Sequence, residues 1–135
     1  MIIPFHNFGG TGSIIHFAHA NAYPPGCYKQ LFQPFTPTYK VIGMHQRPLW
    51  ENSNPKNFKS WHQLADDLIL FFEQQQLKQV IGVGHSMGGV VSIIAAIKRP
   101  ELFSKLVLID PVIFPKRFTI FTLSLIHISE PTRPY

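Results

Sequence analysis

Ser86 stands in surroundings unlike those of an ordinary serine. It is the centre of Gly84-His85-Ser86-Met87-Gly88, with glycine two positions before it and again two positions after. A hydroxyl is a weak nucleophile until a base removes its proton and its position is fixed. The G-x-S-x-G spacing meets the second requirement. A sharp strand-to-helix turn forces its central residue into strained backbone and pushes the side chain clear of the sheet. Side chains two positions to either side would collide in such a turn, so glycine belongs there. The helix that follows brings free amide N–H groups near the hydroxyl, where developing negative charge is stabilised. The plainer reading is a serine capping a helix, but a cap does not require glycine at both places.

The flanking sequence predicts the elements that such a turn needs. Residues 79–83 read as a short buried strand and 90–99 as a helix, ended by Lys98-Arg99-Pro100. Upstream, residues 1–5 suit an edge strand. Gly9-Gly10-Thr11-Gly12 is a turn signal, and 13–18 is a strand apolar on both faces, as buried parallel strands are. A loop rich in turn formers, from His19 to Gly26, leads to a short helix over 27–33 stopped by Pro34. A third buried strand covers 39–44, followed by a polar loop over 45–59.

Ser60-Trp61-His62-Gln63 has the form of a capping box. The helix it opens spaces Trp61, Leu64, Ala65, Leu68, Ile69 and Phe72 by three and four, one face toward a sheet. Asp66, Asp67, Glu73 and Gln74 fall on its solvated side. A last strand over 105–109 closes on Asp110-Pro111. Strands alternating with helices at these intervals predict a three-layer α/β fold with a mostly parallel sheet.

Composition narrows the functional classes. The chain is 45% hydrophobic and 14% charged, which is the make-up of a single globular domain with a core. The net charge of +5 is spread from Lys29 to Arg133 without a basic run, so no nucleic-acid footprint is expected. Cys27 is the only cysteine and cannot form an intrachain disulfide, which favours a reducing compartment. The amino terminus lacks the pattern of a secretory signal, and the run 118–128 is too short and too interrupted to span a bilayer. The expectation is a cytoplasmic protein without a membrane partner, its oligomeric state open.

The strand, the turn with Ser86, the helix, and the upstream loop His19-Ala20-Asn21-Ala22-Tyr23-Pro24 together resemble the N-terminal half of the α/β-hydrolase family, over about residues 14–111. The resemblance implies a three-layer sandwich, truncated after the strand that follows the Ser86 helix. It implies Ser86 as nucleophile, Gly84 and Gly88 as the glycines of the turn, and an oxyanion hole made by the backbone N–H groups of Met87 and Asn21. It implies a small-molecule acyl substrate and neither metal nor cofactor. Two departures stand out. His19-Ala20 replaces the common His-Gly, and His45-Gln46-Arg47-Pro48-Leu49-Trp50 replaces the common Asp-x-Arg-Gly. Arg47 and Trp50 either line the pocket or pack a surface loop.

The family's triad follows the serine in the order acid, then histidine. Asp110 stands at a strand end where some members keep the acid, and it is equally a turn former before Pro111. His127 is the sole histidine after Ser86. His85 and His19 are expected to orient backbone. His16 and His19 fall on opposite sides of a strand and so do not suggest a metal pair, while His6, His45 and His62 are expected to be solvated. Residues 112–122 read as the start of a lid or connecting segment. From Leu123 the sequence resembles the translation of a sequencing adapter, so 123–135 reads as a non-native tail. The expected consequence is an inactive fragment of a serine hydrolase.

A dinucleotide-binding oxidoreductase is the rival reading. Gly82, Gly84 and Gly88 lie between a strand and a helix, and Asp110 closes the next strand. Met87 fills the place of the third glycine in G-x-G-x-x-G, and the turn is not in the domain's first strand-helix unit.

Overall fold

The computed structural model describes residues 1–113. Five strands, β1 (Phe5–Gly9), β2 (Ser13–Ala18), β3 (Tyr39–Met44), β4 (Val80–His85) and β5 (Phe103–Ile109), form one sheet in the order β1-β3-β2-β4-β5. All neighbours are parallel except β1 against β3. The helices are α1 (Lys29–Phe32), α2 (Trp61–Gln74) and α3 (Met87–Lys98), with short 3-10 turns flanking α1 and crossing the loop after β3.

Alternation along the strands sends apolar side chains to both faces, and each face has its own core. On one side Ile42, Met44 and Val80 pack against Leu64, Leu68 and Phe72 of α2 and Val91 and Ala95 of α3. On the other, Ile15, Phe17, Val41 and Val83 meet Phe32 of α1, with Tyr28 alongside. This is the expected three-layer α/β arrangement. The connection from β2 runs to β3 on one side, and β3 then returns through α2 to β4 on the other. The strand order therefore reverses between β2 and β4. In open α/β sheets the crevice at the carboxyl ends of such a pair is where ligands bind.

The strands at 13–18 and 39–44 lie where the sequence puts them, and several other boundaries do not. The edge strand is Phe5–Gly9 rather than 1–5, because Ile3 is buried instead beside α2, its N–H bonded to Gln74 Oε1 at 3.2 Å. Strand β4 starts one residue late, since Gln79 has φ 53°, and runs on to His85. Helix α3 begins at Met87 instead of Val90, directly after Ser86, and β5 opens at Phe103. The helix expected over 27–33 is a single α turn between two 3-10 turns, with Pro25 and Pro34 each near a start.

The expected capping box does not form. Gln63 Oε1 accepts from the Lys59 N–H at 3.2 Å, but Ser60, fully extended, makes no side-chain cap. Asp67 overturns the solvated-face expectation. It is buried, and its two carboxylate oxygens accept from Arg47 Nε at 2.9 Å and Nη2 at 2.8 Å. Asp66 is exposed as expected, with Lys98 Nζ at 2.7 Å.

Candidate active site

Ser86 occupies the turn between β4 and α3 with φ 53° and ψ −119°. A side chain in that region of backbone space costs about 1–3 kcal/mol and persists only where the surroundings enforce it. Here the enforcement comes from β5 and α3. The Ser86 N–H donates to Ile109 O at 3.0 Å, and its carbonyl accepts from Val112 at 3.3 Å and Gly89 at 3.0 Å. The side chain is half-buried.

The two glycines are required by contact. A Cβ on Gly84 would lie 2.6 Å from Gly88 O and from the Gly89 Cα. On Gly88 it would lie 2.0 Å from Ala18 O and 2.6 Å from His19 O. Gly88 thus lets the first turn of α3 touch the end of β2, and that contact brings the His19–Asn21 loop alongside the Ser86 turn. Register agrees, because Ala18 pairs with Gly84 across the parallel β2/β4 ladder. Met87, at the first position of α3, has a backbone N–H that points out of the helix start, as the first amides of a helix do.

His19 holds backbone, as expected, whereas His85 pairs with the side chain of Tyr28. His19 is buried; its Nδ1–H donates to Ala20 O at 2.7 Å and its Nε2 accepts from the Gln46 N–H at 3.0 Å. Burial lowers its pKa from 6.5 to about 4, with His45 adding to the fall and the Ala20 bond opposing it. His85 Nδ1 and the Tyr28 hydroxyl share a hydrogen bond at 2.9 Å, and the two rings meet edge to face. His16 is buried under Phe71 and Phe72, accepts from the Met44 N–H at 3.1 Å, and is pushed down to about 3 by desolvation and then by His19. His62 is exposed, but His6 and His45 are half-buried rather than solvated; His6 stacks edge-on against Phe8. Among the described residues no cluster of three His, Cys, Asp or Glu side chains could hold a metal.

Asp110 is exposed at the end of β5 with φ 44°, one residue from the carbonyl that holds the Ser86 N–H. Positive φ is a conformation Asp tolerates in turns. His127 and the tail from Leu123 lie outside the described residues. Arg47 and Trp50 pack against each other in the loop after β3. The guanidinium sits 4.9 Å from the Trp50 ring centroid, and both residues border an open cavity of about 680 Å³ with Ile3, His45, Asn54 and Asp67. Neither Ser86 nor Asn21 lines that cavity.

Sequence reasoning missed the partners in this region: Gln46, Tyr28 and Asp67. A histidine beside a turn in the loop 45–50 was visible, but nothing in spacing pairs Gln46 with His19 across 27 residues.

Comparison with known proteins agrees with the geometry. The family described as serine aminopeptidase, S33, matches residues 13–130. The uncharacterized hydrolase YugF of Bacillus subtilis is 40% identical over 72 residues, 53% of this chain and 26% of that one. Strigolactone esterase D14 of Arabidopsis thaliana is 32% identical over 115 residues, covering 81% of this chain and 42% of its own length. Among solved structures, an N-formylmaleamic acid deformylase from Pseudomonas putida superposes with a TM-score of 0.69 at 28% identity, over 79% of this chain and 42% of that one. The chain spans less than half the length of these relatives. With the turn at Ser86, the parallel sheet and the matched residues in agreement, the chain belongs to the serine aminopeptidase S33 family of α/β-hydrolases.

Proposed function

We propose that the full-length protein is a serine hydrolase that cleaves a small-molecule ester, thioester or amide through an acyl-Ser86 intermediate. The observation that carries this reading is the backbone of Ser86, held at φ 53° and ψ −119° between glycines that no other residue could replace. Strain of this kind is kept where it displays a side chain. Ser86 Oγ gives its proton to the base as it attacks the acyl carbon and forms a C–O bond, and the carbonyl π pair moves onto oxygen. The Met87 and Asn21 N–H groups receive that charge, each donor worth about 3 kcal/mol of barrier. Collapse expels the alcohol, thiol or amine, which takes up the proton, and water then releases the acyl group.

The base for Ser86 comes from outside the described residues, because His16, His19 and His85 are all engaged elsewhere. Asp110 keeps the place of the acid in this reading. Similarity to an esterase and a deformylase supports acyl transfer as the reaction class. An exposed Cys27 without an intrachain partner, in a chain with no other cysteine, supports a reducing, cytoplasmic setting. Among the described residues no helix is long and apolar enough to cross a membrane. Covalent labelling of the full-length protein by a fluorophosphonate, abolished in Ser86→Ala, tests the proposal; labelling that survives this substitution contradicts it.

A further inference from the structure

Beside the Ser86 turn lies a second built feature, a doubly hydrogen-bonded pair between the loop after β2 and the loop after β3. Gln46 gives its backbone N–H to His19 Nε2 at 3.0 Å and its side-chain Nε2–H to His19 O. His19 in turn gives Nδ1–H to Ala20 O at 2.7 Å. Both residues are buried at 1% exposure, far more than loop polar residues usually are. Three hydrogen bonds thus converge on the two residues that immediately precede Asn21. Burying polar groups of this size is costly unless they are bonded, and these three bonds offset part of that cost, although Gln46 Oε1 is buried without a hydrogen-bond partner.

The tautomer follows from the partners. Ala20 O can only accept and the Gln46 N–H can only donate, so the ring must be neutral with its proton on Nδ1. In that state the ring ties the peptide between Ala20 and Asn21, whose carbonyl it holds. The N–H of that same peptide is the Asn21 N–H. Fixing one end of a rigid, planar peptide fixes the direction of the other.

We infer that His19 and Gln46 are positioning residues for the oxyanion hole, which aim the Asn21 N–H at the oxygen where charge develops. The inference rests on the reading of Ser86 as nucleophile and of Asn21 as an oxyanion donor. Neither side chain touches substrate in this account. Removing the Gln46 side-chain donor frees His19 O and so loosens the His19–Ala20 peptide, the one next to the peptide that carries the Asn21 N–H, which lets that N–H drift and weakens charge stabilisation without changing ground-state contacts. A misplacement of about 1 Å at such a donor costs on the order of 100-fold in rate.

The test is the kinetics of Ser86 phosphonylation by an alkyl fluorophosphonate in the full-length protein, since the phosphoryl oxygen takes the oxyanion position. Gln46→Met, of similar volume and without the donor, should lower the maximal inactivation rate about 10- to 100-fold and leave the half-saturating probe concentration within about two-fold. Gln46→Asn, which keeps an amide, should lose less than Gln46→Met. Wild-type maximal rate in folded Gln46→Met overturns the inference. If the wild-type protein is not labelled at Ser86, it is the nucleophile reading that fails. Should Gln46→Met not fold, the His19 ring in the wild type decides: nitrogen NMR at pH 7 should show a neutral ring protonated at Nδ1. A proton on Nε2 overturns the inference.

Discussion

At the scale of single residues, the account depends on contacts too close for any side chain. Gly88→Ala places a methyl 2.0 Å from Ala18 O, a backbone atom that cannot swing aside. The expected loss of stability is about 4 kcal/mol or more, read from urea unfolding; a loss under 1 kcal/mol would mean that the turn is looser than described. The buried histidines set the behaviour in acid. His16 and His19 have folded pKa values near 3 and 4 against 6.5 for the free side chain. The folded protein resists their protonation while the unfolded chain accepts it. Their stabilising contribution is therefore complete above about pH 6.5 and lost as pH falls toward the folded values. Each costs about 1.4 kcal/mol per pH unit in that window, and half-buried His45 adds in the same direction. Unfolding free energy should fall by roughly 3–4 kcal/mol between pH 7 and 5. Asp67, whose carboxyl burial raises above the ordinary range despite Arg47, acts in the opposite sense at the acid end. A stability that is flat or rising from pH 7 to 5 would contradict the burial of His16 and His19.

At the scale of elements, period and punctuation carried much of the fold. Strands β2 and β3 were legible because continuous apolar runs between glycine and proline signals leave few alternatives. The Ser86 turn was legible because its glycines are a local steric demand. What was not legible depends on partners distant in sequence. Asp67 shares the helix surface with Asp66 as read from α2 alone, and only the loop after β3 separates them by placing Arg47 beside one. The two should differ on substitution. Asp67→Ala leaves a half-buried guanidinium without its partner and should cost about 2 kcal/mol. Asp66→Ala, from an exposed pair with Lys98, should stay within about 0.5 kcal/mol. Equal effects in urea unfolding would mean that the Arg47–Asp67 bond does not persist. Gln46 was hidden for the same reason, since a glutamine in a polar loop shows no pattern until the histidine opposite is known. The helix at 27–33 failed because two prolines interrupt its hydrogen bonding.

At the scale of the whole molecule, the described sheet ends at β5 in an apolar surface. Val107, Leu108 and Ile109 are 46%, 38% and 37% exposed, unlike the strands at the centre. On the face away from α3, Ile81, Val83, Val107 and Ile109 line an open hollow of about 290 Å³ with Leu31 and Phe35. Apolar strand edges of this kind promote association. The isolated 135-residue polypeptide should therefore bind the dye ANS and self-associate in light scattering. It should show no turnover of p-nitrophenyl esters on the reading that His16, His19 and His85 are engaged elsewhere and that His127 belongs to a non-native tail. Steady turnover that depends on Ser86 would contradict this.

The central claim is that the strain at Ser86 exists to present a nucleophile. Its most direct measurement is peptide mapping by mass spectrometry of the full-length protein after treatment with a fluorophosphonate. The account predicts a single adduct on the peptide that holds Gly84-His85-Ser86-Met87-Gly88, absent in Ser86→Ala. A folded protein that stays unlabelled, or that carries the adduct elsewhere, would contradict it.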